Sequence, residues 1–192
     1  MTEVDGSLVE RLRRGDATAF DEIYGRLAPR LFAFLARLTR RDAIAQELAQ
    51  ETWLRLATHG RDLPADVNLH AWIFTVARNL YRSYRRWHLV DLDRTRLLAL
   101  FGSGRTAVQT PHDTAAASET GRRLEQVLAE LPVAQREIML LVAVEGFSPT
   151  DAAAIIGVRA ETARQRLSRA RTQIARRLQT GWTIGTPRRE TS

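Results

Sequence analysis

Apolar residues recur three and four positions apart along most of the chain, the repeat of one helix face, while the two-residue alternation of strands is nearly absent. A short helix is predicted through Leu8 to Leu12, followed by Gly15-Asp16, a stop and then a cap. Phe20, Ile23, Tyr24 and Leu27 form the next face, and Leu31, Phe34, Leu35 and Leu38 continue the pattern after Pro29. Asp42 is positioned to cap a further helix in which Ala45, Leu48, Ala49, Thr52 and Leu56 share one side. Gly60 and Pro64 then break the pattern in a loop from His59 to Asn68. Beyond it, Trp72, Ile73, Val76, Ala77, Leu80 and Tyr84 predict one face of a long helix, and the first unit ends near residue 95.

From Gly102 to Gly121 the chain is rich in Gly, Ser, Thr, Pro and Ala, after a short apolar stub, Leu97 to Phe101. That is linker composition. Helical spacing returns with Leu124, Val127, Leu128 and Leu131, ended by Pro132, and with Ile138, Met139, Leu141 and Val142, closed by Gly146. Ser148 then caps a short helix with Pro149 in its first turn and Asp151 against its dipole. Gly157 ends it, and the turn Gly157-Val158-Arg159 leads into a last long helix from about Ala160. Ala163, Leu167, Ala170, Ile174 and Leu178 fall on that helix's inner side. The fold expected is all-α: two small helical domains, 1–95 and 122–180, joined by a flexible linker, 96–121, and followed by a flexible tail, 181–192. Two helices joined by a short glycine-containing turn make the second domain a helix-turn-helix.

Composition narrows the function. The 192 residues carry 29 basic and 22 acidic side chains, a formal charge of +7 that calls for a polyanionic partner, nucleic acid or an anionic membrane surface. Every basic residue is Arg. Without Lys there is neither a Walker phosphate loop nor Schiff-base chemistry. Without Cys there are no disulfides, thiolate nucleophiles or cysteine-held zinc, which fits a reducing cytoplasm. No apolar run approaches the roughly 18 to 20 residues of a membrane span, and residues 1–10 lack signal-peptide order. His59, His70, His88 and His112 are scattered without metal-ligand spacing. A non-enzymatic cytoplasmic protein without cofactor, metal or stable membrane insertion is the expectation.

The arginines are placed unevenly. From Arg159 to Arg177 there are seven against one acid, Glu161. Arg159, Glu161, Arg164, Gln165, Ser168 and Arg169 lie on the outer side of the last helix, able to reach base edges and phosphates in a major groove. A merely solvated face would more often mix signs.

The order of short motifs in this unit resembles the C-terminal domain of extracytoplasmic-function sigma factors of RNA polymerase, in the sigma-70 family. They are Leu128-Ala129-Glu130-Leu131-Pro132, Arg136-Glu137, Glu145-Gly146-Phe147-Ser148, Ala153 to Val158, and Arg164 to Arg171. The first unit resembles the same family independently, in Asp16 to Phe20 with Ile23-Tyr24, in Ala45 to Leu56, and in His70 to Leu80.

The resemblance implies roles. The domain at 122–180 would read the −35 promoter element and meet the polymerase flap. The domain at 1–95 would bind core polymerase through Gln46, Glu47, Gln50 and Glu51. Arg78, Asn79, Arg82, Arg85 and Arg86, beside Trp72, Tyr81, Tyr84 and Trp87, would hold the separating −10 strand, cations on its backbone and rings on unstacked bases. Asp66, Val67 and Asn68, within the loop 60–69, are candidates for capturing a flipped base, whereas Trp72 reads better as core. Ser83 stands where relatives often carry an acid, and Arg159-Ala160-Glu161 replaces a commoner Pro- and Gly-containing turn, so the promoter preference stays open. Core RNA polymerase, promoter DNA and an anti-sigma factor are the partners implied. A stand-alone helix-turn-helix regulator and a decoy that sequesters an anti-sigma factor are the competing readings; the first-unit motifs count against the former, and the missing receiver domain against the latter.

Overall fold

The computed structural model describes residues 6–96 and 119–180, with backbone alone at 88–96, 120 and 180. Among these residues there is no strand. The chain divides into two compact units, one holding four helices before residue 97 and the other four helices after residue 118.

In the N-terminal unit α1 spans Gly6–Arg13, α2 Ala17–Thr39, α3 Asp42–His59 and α4 Leu69–Arg96. Gly15, at φ 82°, makes the turn after α1. The Asp16 carboxylate then caps α2, accepting from the Thr18 backbone N–H at 2.9 Å and from Arg11 Nε at 2.8 Å. The Thr18 hydroxyl, which donates to the same carboxylate at 2.6 Å, and then Arg11 hold the Asp16 pKa down at about 2. Pro29 sits inside α2 without ending it. It is exposed, so the Gly25 carbonyl that it leaves without a helical donor faces the solvent side. The cap of α3 is not Asp42, as expected, but Arg41, whose side chain makes no capping bond; Asp42 is the first helical residue, where its charge meets the helix dipole.

The core of this unit joins Ile23, Leu27, Leu31, Phe34 and Leu35 of α2 to Leu56 of α3 and Ile73 and Phe74 of α4. The rings of Phe34 and Phe74 meet edge to face at 5.1 Å between centroids. The buried side of α4 is rotated from the expected one. Leu69, Ile73, Phe74, Ala77 and Tyr81 are buried, while Trp72, Val76, Leu80 and Tyr84 are only half-buried. The cause is that α4 packs against both α2 and α3, which moves its covered arc round toward Phe74. Trp72 is thus a flank residue rather than core.

In the C-terminal unit α5 spans Glu119–Glu130, α6 Val133–Met139, α7 Pro149–Ile156 and α8 Ala160–Thr180. Helical backbone therefore enters the expected linker at both ends, at Arg96 and at 119–121; residues 97–118, with the apolar stub, and the tail 181–192 lie outside the described residues. After α6 a wider turn, Leu140–Val144, leads to Gly146 at φ 79°. The cap of α7 is as expected: Ser148 Oγ accepts from the Asp151 N–H at 3.1 Å. Gly157, at φ 65°, closes the helix with a Schellman pair, its N–H to the Ala154 carbonyl and that of Val158 to the Ala153 carbonyl.

Arg136 was legible in the sequence only as part of a motif. Its side chain is 6% exposed and donates to the carbonyls of Leu128 and Leu131, each at 3.0 Å, and to that of Ala129. These carbonyls lie where α5 ends, Leu128's also accepting from the Leu131 N–H at 3.2 Å, so the guanidinium fastens the end of α5 to α6.

Candidate nucleic-acid interface

The short, doubly capped α7 packs on α8 and fixes which side of α8 is open. Ala163, Leu167 and Ala170 are buried, Ile174 and Leu178 half-buried, as the spacing requires. The opposite side exposes Glu161, Arg164, Gln165, Ser168 and Arg169, with Arg159 exposed in the preceding turn. The five candidate residues of this helix are therefore on its open side, and Arg159 is exposed just before it. Glu161 is held between two of them, its carboxylate 3.5 Å from Arg164 Nη1 and 3.4 Å from Gln165 Nε2. Exposed contacts of that length are weak, so either side chain can exchange Glu161 for a base edge.

The N-terminal candidates are less uniform. Asn79, Arg82, Arg85 and Arg86 are exposed along α4. Arg78 is not among them. It is 7% exposed, with Nη1 3.5 Å from Asn79 Oδ1, because it shares the packed side of the helix with Phe74 and Tyr81, four before it and three after. Tyr81 is buried too, its hydroxyl donating to the Leu38 carbonyl at 3.2 Å, and the Arg85 guanidinium lies 5.9 Å from its ring centre. Of the four aromatics beside the strip, Trp87 is the open one, at 75% exposure.

In the preceding loop Asp66 and Asn68 are exposed and Val67 half-buried. Asn68 has structural work that spacing did not reveal: its Oδ1 accepts from the Ala71 N–H at 3.0 Å at the start of α4. Its amide nitrogen stays available as a donor.

On α3, Gln46, Glu47 and Gln50 are exposed, while Glu51 is half-buried and accepts from Arg55 Nε at 3.0 Å. Leu54 was missed. It is 60% exposed, four residues after Gln50 and seven after Glu47, an apolar side chain in a polar stripe. The signal was present in that phase, since Leu54 does not share the side of Ala45, Leu48, Thr52 and Leu56.

The two surfaces lie in segments matched by two family models, sigma-70 region 2 over residues 23–88 and sigma-70 region 4 over residues 121–174. The ECF RNA polymerase sigma factor EcfG of Rhodopseudomonas palustris is 35% identical over 150 residues, covering 77% of this chain and 78% of that one. The chain belongs to the ECF subfamily of sigma-70 RNA polymerase sigma factors. This sigma factor is also 32% identical over 163 residues to the RNA polymerase sigma factor CarQ of Myxococcus xanthus, 84% of this chain and 90% of that one. Among solved structures it resembles the sigma factor RpoE of Bartonella quintana, determined with the anti-sigma factor NepR, at a TM-score of 0.68 and 27% identity over 83% of this chain and 96% of that one. CnrH, determined with the cytosolic domain of CnrY, shares the fold at a TM-score of 0.65 and 21% identity over 92% of this chain and 97% of that one. As a sigma factor the chain binds core RNA polymerase and promoter DNA and directs transcription initiation. No helix among the described residues is long and apolar enough to cross a membrane.

Proposed function

We propose that this sigma factor divides the work between its two units and opens promoters with binding energy alone, acting in the cytoplasm and without catalysis of its own. The C-terminal unit, proposed as residues 122–180, reads the −35 element through Arg164, Gln165, Ser168 and Arg169, with Arg159 and Glu161 at the helix start. Arginine suits guanine O6 and N7, glutamine suits adenine, and a carboxylate accepts from cytosine N4. The observation that carries this reading is the exposure of five of these side chains on the open face of α8 and of Arg159 in the turn before it, at the start of a helix held by the capped α7.

The N-terminal unit, proposed as residues 1–95, docks on core polymerase with Gln46, Glu47, Gln50 and Glu51. Asn79, Arg82, Arg85 and Arg86 hold the backbone of the separating −10 strand, and Asp66, Val67 and Asn68 take an extruded base. Arg78 supports that strip from inside the helix packing instead of touching DNA. Neither unit needs to bind DNA tightly alone, because a shared polymerase platform raises the effective concentration of the second contact.

An anti-sigma factor holds the protein inactive in this proposal. The support is the likeness to a relative determined with such a partner. Run-off transcription with core polymerase over a set of promoter fragments tests the whole. Promoter-specific transcripts that require the protein are expected. A shift of duplex DNA in the absence of polymerase, with no transcript, would indicate a stand-alone regulator instead.

A further inference from the structure

A single 3-10 turn, Gly60–Asp62, follows α3 and opens the loop to α4, and α1 packs against it. Gly60 is buried there with right-handed helical backbone, φ −59° and ψ −29°, so conformation does not call for glycine. Its neighbour does. A Cβ added to Gly60 would stand 3.3 Å from both Cγ and Cδ2 of Leu12 in α1. The Arg61 side chain reaches back in the other direction, over the turn that ends α1. A Cβ added to Gly15 would stand 2.6 Å from Arg61 Nη2 and 2.9 Å from its Nε. Leu12 on Gly60 and Arg61 on Gly15 therefore interlock, and the guanidinium rests beside the C-terminal end of α1, where a helix favours a cation. Helix α1 is itself fastened to α2, with Leu8, Val9 and Leu12 buried and Arg11 Nη2 donating to Thr18 Oγ1 at 2.6 Å.

We propose that α1 is the buttress of the loop that takes the extruded base, with Leu12, Gly15, Gly60 and Arg61 as positioning residues for promoter selectivity. The proposal rests on the reading of Asp66, Val67 and Asn68 given above. Their loop is anchored at both ends. At the far end Leu69 is 1% exposed, and Asn68 caps α4 through the Ala71 N–H. At the near end Leu63 is buried, and the turn that delivers it is the one α1 clasps. Between the anchors Pro64 has its φ locked by its ring, and its carbonyl accepts from the Val67 N–H at 3.2 Å. A shift of Gly60–Asp62 therefore meets few soft dihedrals before it reaches Asp66 and Val67. Side chains on a loop keep the geometry of a base-edge hydrogen bond only when the residues behind them are locked. The interlock with α1 supplies that lock, and loosening it costs discrimination between bases before it costs the fold.

The test uses the full chain with core polymerase and run-off transcription from a promoter on which the wild type initiates, each −10 base being replaced in turn. Asp66→Ala identifies the position the loop reads, as the one where the base preference disappears. Gly15→Ala pushes the guanidinium aside and Arg61→Ala removes it. Each should lower the preference at that same position by about threefold or more, the worth of part of one hydrogen bond, with −35 preferences and affinity for core polymerase unchanged. The two substitutions together should lose no more than either alone, because the added Cβ then meets no guanidinium. Leu35→Val, a core change in the far half of α2, should lower the thermal midpoint and leave every preference intact. Flattening by Leu35→Val as well would make the effect one of stability and overturn the proposal. So would full preference in Gly15→Ala and Arg61→Ala, or additive losses in the double variant. An equal loss on all fragments with Arg61→Ala, together with a smaller salt slope, would make Arg61 a phosphate contact instead. If Asp66→Ala alters no −10 preference, the base-capture reading fails and takes the buttress with it; if Asp66→Ala acts and the α1 variants do not, the buttress alone fails.

Discussion

Replacing Arg136 by Met keeps most of the side chain's length and apolar stem while removing its donors. The guanidinium satisfies carbonyls of Leu128, Ala129 and Leu131, and it does so while 6% exposed. Hydrogen bonds from a charged donor are each worth about 1.5 to 3 kcal/mol net, and a buried acceptor left unmade costs about 1 to 3. Against that, Met has no charge to desolvate, which returns several kcal/mol. Leu128 and Leu131 are buried, so water reaches at most the Ala129 side readily. The Leu128 carbonyl keeps the Leu131 N–H at 3.2 Å, so the Leu131 carbonyl is the one stranded, and a net loss of about 2 kcal/mol is expected for the C-terminal unit. In a unit of this size that moves its thermal midpoint down by about 8 to 16 °C. Calorimetry should show one transition falling and the other staying in place, because the two units have separate cores. Amide exchange in α5 and the start of α6 should rise first. Arg136→Lys should recover only part, since one ammonium cannot span three carbonyls. A loss below about 1 kcal/mol, or a uniform loss across both transitions, would refute the reasoning.

Three further outcomes follow from the same geometry. Burial, and after it the charge of Arg30, holds the His70 pKa down at about 4, so the folded state keeps a neutral ring that the unfolded chain protonates below about 6.5. The N-terminal unit should therefore lose stability as pH falls from about 6.5 to 4, and His70→Gln should flatten that limb of a urea-midpoint titration; an unchanged limb contradicts it. Gly157→Ala should cost about 1 kcal/mol, from the left-handed φ of 65° and not from a clash, since nothing lies within 4 Å of an added Cβ; equal urea midpoints would speak against the Schellman closure. Leu54→Glu should weaken binding to core polymerase at least tenfold while leaving the thermal midpoint within about a degree, as expected for a 60% exposed side chain in the proposed docking stripe; full retention of polymerase affinity would remove Leu54 from that surface.

What could be read from the sequence, and what could not, divides along a physical line. The helix-turn-helix was legible down to its caps because its signals are local: Ser148 and Pro149 begin α7, Gly157 ends it, and Ala163, Leu167 and Ala170 set the inward side of α8. Helix α4 was not legible in phase. Its apolar residues from Trp72 to Tyr84 span about 200° of the helix circumference, at about 100° per residue, wider than the arc that α2 and α3 cover, so the pattern alone could not say which part would be buried. Arginine burial was the other failure, and it has a local correlate. Arg78 has buried Phe74 four before it and Tyr81 three after, and Arg136 has buried Met139 and Leu140 three and four after. Arg169 has exposed Gln165 four before it, and exposed Thr172 and half-buried Gln173 three and four after. A long cation takes its environment from the residues above and below it on the helix, and only secondarily from its own charge. In a chain whose only cationic side chains besides histidine are arginines, that phase, and not the number of charges, separates the guanidiniums packed inside the protein from those left exposed.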